Sequence, residues 1–262
     1  MILRRVTQHV RDQNWTAIAI DFVIVVVGVF VATQVTNWND ARKTAARAEV
    51  FTARLAEDVR FEDWANQRTT TYYAQVLRNA GAAAAALTGD TTLTDEAFLA
   101  AAYRATQYKD HDRARATYEE LLSTGEIGLI ANDTLREAAI AVFTTPVFDQ
   151  ITDEGIQSEY RRIFRRLVPV DVQRELLRSC GDRRPMPGDY DAIPGELDYP
   201  CSLDVPPERI ARAAAALRSD PTVLPALQLR FGNLESILVN LTGGSGTTEM
   251  LDNLRHVAGR AR

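Results

Sequence analysis

The longest apolar run lies between Trp15 and Trp38, where the only charged residue is Asp21. Without the two tryptophans it is 22 residues long, about 33 Å as a helix, which matches a ~30 Å hydrocarbon core. The run is dense in β-branched residues. It is bracketed by tryptophans and then by Arg11 on one side and Arg42 and Lys43 on the other, as a membrane anchor would be. It is too long for a secretory signal, and no small-x-small cleavage site precedes Trp38. The pattern predicts an uncleaved transmembrane helix over 15–38, a basic tail over 1–14 and an extramembrane domain over 39–262.

After the anchor the apolar period is that of helices. Residues 40–88 contain no proline and one glycine, Gly81, and predict one long juxtamembrane helix that continues from the anchor. Phe51, Leu55, Val59 (or Asp58) and Trp64, then Tyr72, Tyr73, Val76 and Leu77, recur at roughly helical spacing. Gly89-Asp90 ends it, and Thr94 with Asp95 and Glu96 opens a second helix carrying Phe98, Leu99, Ala102 and Tyr103. Tyr118, Leu121 and Leu122 form a short apolar face stopped by Gly125. Asn132 or Asp133 caps the next helix. Pro146 kinks it or starts another that runs to about Leu167, with Ile156, Tyr160, Ile163, Phe164 and Leu167 inward.

Residues 180–207 hold six of the ten prolines and both cysteines, so a loop is predicted there. Helical periodicity returns from Pro207 to Leu217. It restarts at Asp220-Pro221 with a stripe of Leu224, Leu227, Phe231, Leu234, Ile237, Leu238 and Leu241. Gly243 to Gly246 interrupts before a terminal helix ending near Gly259. No convincing strand and no internal repeat is visible. The fold class predicted is all-α: an N-terminal transmembrane helix followed by an irregular helical bundle, with a Pro-rich loop.

Composition and charge narrow the function classes. Mildly negative mean hydropathy excludes a polytopic transporter. The tail carries Arg4, Arg5 and Arg11 against Asp12, so the rest is more acidic than the net −5 of the whole. An acidic domain gains nothing from counterion release, and no nucleic-acid partner is expected. The flanking charges are nearly balanced; the short tail and long C-terminal part favour a cytoplasmic N-terminus and an exported domain.

Four groups of residues carry candidate chemistry. Ala17, Asp21, Gly28 and Ala32 fall on one face of the anchor. They combine small residues with an ionisable group, which suits packing against a second copy or a partner helix. Cys180 and Cys201 enclose about 20 residues, and in an oxidising compartment a disulfide is expected. Arg161, Arg162, Arg165 and Arg166 lie opposite the apolar stripe of their helix, an anion-binding patch or a solvated face. His111, in Lys109-Asp-His-Asp-Arg113, has no second histidine nearby, so no metal is expected, and no cofactor motif is present. Ser123 and Ser245 lack the Gly-x-Ser-x-Gly elbow, and Gly243 to Thr248 lacks the lysine of a phosphate loop.

The segments Trp15 to Phe22, Val23 to Phe30, Gln34-Val-Thr-Asn-Trp-Asn39 and Thr117 to Gly125 resemble a family of uncharacterised bacterial single-pass membrane proteins. Each has a short basic tail, one N-terminal span and a helical domain. An acidic residue in the span and Gln-x-x-Asn-Trp-Asn at its exit are shared features; Asp21 and Gln34 to Asn39 fill those positions. The resemblance implies a bacterial inner (cytoplasmic) membrane and no particular activity. The function expected is a membrane-anchored, partner-binding, sensory or scaffolding module. The alternative is a membrane-tethered hydrolase whose acid/base carboxylates are dispersed in sequence.

Overall fold

The computed structural model describes residues 15–89, 93–110, 113–183, 192–193 and 195–244. The basic tail, His111, Ser245, the expected terminal helix and the side chain of Ala17 lie outside the described residues. What is described is helical, without strands.

Helix α1 spans Trp15–Thr88 without interruption, as the absence of a breaker after Trp38 predicts. Gly89 terminates it at φ 83°, a left-handed conformation that glycine adopts without a Cβ clash. The chain divides into two compact units. The first contains α1 as far as Ala53 together with 128–131; the second contains Arg54–Ile127 and everything from Asn132.

In the first unit α1 carries one stretch long and apolar enough to cross a membrane, and none of that stretch is buried. Phe22, Ile24, Val29 and Phe30 each expose more than half of their surface. The hydroxyls within the run are satisfied internally: Thr33 donates to the Phe30 carbonyl at 2.8 Å and Thr36 to Ala32 at 3.1 Å. That removes the polar cost of placing them in an apolar solvent. At the far end the Arg42 guanidinium lies 5.0 Å from the Trp38 ring.

The second unit packs α2 (Asp95–Ala105), α3 (Ala116–Ser123), α4 (Asp133–Thr144), α5 (Val147–Gln157), α6 (Glu159–Leu167), α7 (Val170–Cys180), α8 (Pro207–Ser219) and α9 (Val223–Val239) with the rest of α1. Its centre is α2, buried continuously from Phe98 to Ala105. Four alanines in that stretch let α7 and α8 approach closely, and α8 meets α2 with Ala213 and Ala214. The Thr94 hydroxyl caps α2 by accepting the Ala97 N–H at 3.2 Å, and Asn132 caps α4 by accepting from Leu135 at 3.0 Å. Gly125, at φ 71°, follows α3.

Three sequence expectations change. The helix expected to reach Leu167 breaks a second time, at Ser158, whose hydroxyl caps α6; Ile156 therefore ends up exposed. Residues 170–180, between the expected helix and the loop, form α7, with Val172, Leu176 and Cys180 inward. Asp220 does not cap a helix opening at Pro221. Its carboxylate accepts from the backbone and hydroxyl of Thr222, and α9 starts at Val223.

Candidate functional site

The stretch of α1 from Leu55 to Ala80 buries positions 55, 59, 62, 66, 69, 73, 76 and 80 in alternating steps of four and three. Three of these are polar, Glu62, Asn66 and Thr69, and each is 6 % exposed or less. A buried polar residue needs a partner, and for Glu62 the partners come from a distant part of the chain.

Glu62 receives the Arg113 guanidinium at 3.2 Å and the Ala114 N–H at 2.8 Å. Beyond it, the described residues of the loop closed by the Cys180–Cys201 disulfide bond to α1. Its residue Glu196, 1 % exposed, accepts from Arg68 at 2.7 and 3.1 Å and from the Lys109 ammonium. Lys109 also lies 3.7 Å from Asp182 and 4.5 Å from the centre of the Tyr72 ring. The Tyr72 hydroxyl donates to Asp182 at 3.0 Å, and the Tyr73 hydroxyl accepts the Lys109 N–H at 3.2 Å.

Backbone contacts fix the same loop. Gln75 accepts from Leu197 N–H at 2.7 Å, Trp64 donates to the Ala192 carbonyl at 2.9 Å, and Arg183 N–H reaches the Glu196 carbonyl at 3.1 Å. Arg104 of α2 secures both ends, donating to Cys180 at 3.2 Å and Tyr199 at 2.9 Å.

Burial governs the protonation of this cluster. It pushes Tyr72 well above its ordinary value, assisted by the Asp182 charge, and Tyr73 up to about 12. Asp182 is also raised by burial, which outweighs the opposing pull of Lys109. Both phenols are therefore neutral at physiological pH. Glu196 is opposed by two cations, which leaves the cluster nearly balanced and internally bonded. A third buried pair lies near it: Arg230, 1 % exposed, meets Glu154 and donates to the Gln107 carbonyl at 2.8 Å.

The groups singled out in sequence are placed as follows. Asp21, Gly28 and Ala32 share the exposed apolar part of α1, and nothing lies within 4 Å of where a Gly28 Cβ would stand. The four arginines separate. Arg161 donates to the Thr106 carbonyl at 2.8 Å and lies 4.7 Å from the Tyr108 ring. Arg162 turns to the Gln157 carbonyl at 2.9 Å, and Arg166 is near enough to help lower the Asp220 pKa. Arg165 instead joins Arg161 in a cleft that also contains Arg174 of α7. Arg161 departs from the expected position opposite the packed face: it flanks Phe164 on the same helix and is half-buried, whereas Arg162, Arg165 and Arg166 are exposed.

Among the described residues no group of three or more His, Cys, Asp or Glu side chains is placed to hold a metal ion. Arg68, Lys109, Asp182, Glu196 and Arg230 were not predicted from the sequence. For the α1 half of the cluster a signal existed: Glu62, Asn66 and Thr69 continue the apolar period between Val59 and Tyr73. The loop half had none, since partners such as Arg68 and Glu196 are 128 residues apart. In comparisons with known proteins, no family model, curated protein or solved structure matches the chain.

Proposed function

We propose that the protein is a single-pass protein of a bacterial cytoplasmic membrane, with its tail in the cytosol and its helical domain in the periplasm, acting as a partner-binding, sensory or scaffolding module. The observation that carries this reading is the unburied apolar stretch of α1. In water, leaving Phe22 to Val31 uncovered would forfeit the hydrophobic stabilisation that every other helix obtains by packing. In lipid it costs nothing, and the internally bonded threonines fit the same solvent.

The disulfide supports the exported side, because such bonds persist in oxidising compartments. A binding rather than catalytic role is supported by the second unit's core. Its buried carboxylates Glu62 and Glu196 are each held by a cation, which suits a rigid scaffold. Partner contact through the membrane would use the face of Asp21, Gly28 and Ala32, where a second helix could approach closely.

Alkaline carbonate extraction of membranes, followed by in-membrane crosslinking and co-purification, tests this reading. The chain should stay in the pellet and crosslink to itself or to one partner. Asp21→Leu with Gly28→Ile should abolish that crosslink. Release of the chain into the carbonate supernatant would overturn the proposal.

A second reading, a membrane-tethered hydrolase, draws on Asp182, a carboxyl of raised pKa beside Lys109 and Tyr72. It requires Asp182→Asn to abolish a hydrolytic activity that the purified wild type displays.

A further inference from the structure

From the cleft between α6, α7 and the end of α2, we infer a binding site for a phosphomonoester that carries an apolar group. The cleft holds about 330 Å³, the lower end of the range for small-molecule sites. Three guanidiniums line it, Arg161 and Arg165 from α6 and Arg174 from α7, and no carboxylate does. Neither Arg165 nor Arg174 has an ion-pair partner among the described residues. Arg161 spends one N–H on the Thr106 carbonyl, which fixes its plane and leaves other donors unused. Partial burial, and after it the proximity of Arg165, push the Arg161 pKa down; like charges have been brought together in the cleft.

Two other clefts among the described residues differ in this respect. One pairs Arg162 and Arg230 with Glu154 and Glu159, and another contains Asp198, already bonded to Arg78. Only where the positive charge is uncompensated does an anion gain by entering, and three guanidiniums match a dianion better than a monoanion. The remaining wall is apolar. Phe164 also lines it, and Val170 and Leu177 stand 71 % and 65 % exposed, the highest values for large aliphatic side chains outside α1 among the described residues. Gln173 holds the rim in shape by donating to the Arg165 and Val168 carbonyls at 2.8 and 2.7 Å. A phosphate on the arginines would place an attached hydrocarbon against Leu177 and Val170. Such a ligand has two sources, a phosphomonoester lipid headgroup or a soluble organic phosphate.

Titration calorimetry on the full chain in phosphatidylcholine nanodiscs tests the site, with phenyl phosphate and inorganic phosphate as probes. Phenyl phosphate should bind about tenfold more tightly, the value of burying roughly 55 Å² of apolar surface. Arg165→Gln with Arg174→Gln should weaken it by about tenfold or more with the circular dichroism and melting curve unchanged, since neither side chain is paired. Leu177→Ser should abolish the preference over inorganic phosphate while leaving phosphate binding intact. Absence of phenyl phosphate binding at millimolar concentration, or unaltered affinity in both variants, would overturn the inference. Nanodiscs containing phosphatidic acid separate the sources: loss of phenyl phosphate binding in them assigns a lipid headgroup, and retention assigns a soluble phosphate, each in support of the site.

Discussion

Replacing Glu196 by alanine removes the carboxylate on which the loop cluster converges. At 1 % exposure, that carboxylate accepts two bonds from Arg68 and one from Lys109. Its loss leaves both cations facing Asp182 alone. Deleting one partner of a buried ion pair costs about 3–5 kcal/mol, because the other charge remains desolvated. The Arg68 and Lys109 side chains are 22 % and 13 % exposed, so water can reach them in part, and the low end, about 3 kcal/mol, applies. For a domain of this size that lowers Tm by roughly 6–12 °C. The bonds from Leu197 to Gln75 and from Arg183 to the Glu196 carbonyl involve backbone and survive the substitution, so the loss reports the carboxylate. Thermal unfolding of the full chain in detergent, followed by circular dichroism, measures it. The double variant Arg68→Met with Glu196→Met, which replaces the pair by apolar groups, should recover much of the loss. If Glu196→Ala melts within about 1 °C of wild type, the buried cluster does not hold the loop to α1.

Removing the disulfide with Cys180→Ser and Cys201→Ser should cost about 3 kcal/mol on the loop-entropy account, read as a lower urea midpoint, with a steeper slope because the uncrosslinked unfolded chain exposes more surface. Gly155→Ala should destabilise by about 1–3 kcal/mol in the same assay, because an added Cβ would collide with the Cβ of Tyr108 and lie 2.6 Å from its Cγ. Asp182 sets a pH dependence. Its folded-state pKa is raised by burial, so the native state binds this proton more tightly than the unfolded chain. Stability from this group is complete below the ordinary carboxylate range and is lost as pH rises through the folded-state value. Asp182→Asn should therefore flatten that decline in unfolding free energy measured across mildly acidic pH; an unchanged slope contradicts the assignment.

The helices and most of their ends were legible because their signals are local. The caps at Thr94 and Asn132, the stops at Gly89 and Gly125 and the uninterrupted run from Trp15 to Thr88 each depend on a few neighbouring residues. The break at Ser158 was harder to see, since the apolar period passes through it and only a serine followed by Glu159 marks the new start. Arg230 illustrates the other limit. It lies on the buried face of α9 between Leu227 and Leu234, where an arginine reads as solvated unless Glu154, 76 residues earlier, is known to meet it. The cleft of Arg161, Arg165 and Arg174 was half visible: the α6 arginines form a run, whereas Arg174 reaches them only through the turn between α6 and α7. Charge runs are local; the selection of which charges converge is tertiary.

The central claim is that the apolar part of α1 spans the membrane and that the domain lies on its outer side. Exposed Ser123, on α3 of the second unit, supplies a reporter. In Ser123→Cys, intact spheroplasts are treated with a membrane-impermeant maleimide while Cys180 and Cys201 are bonded to each other. The account predicts labelling of the full-length chain before lysis, with no increase after it. Labelling that appears only when the membrane is broken would place the domain in the cytosol and contradict the account.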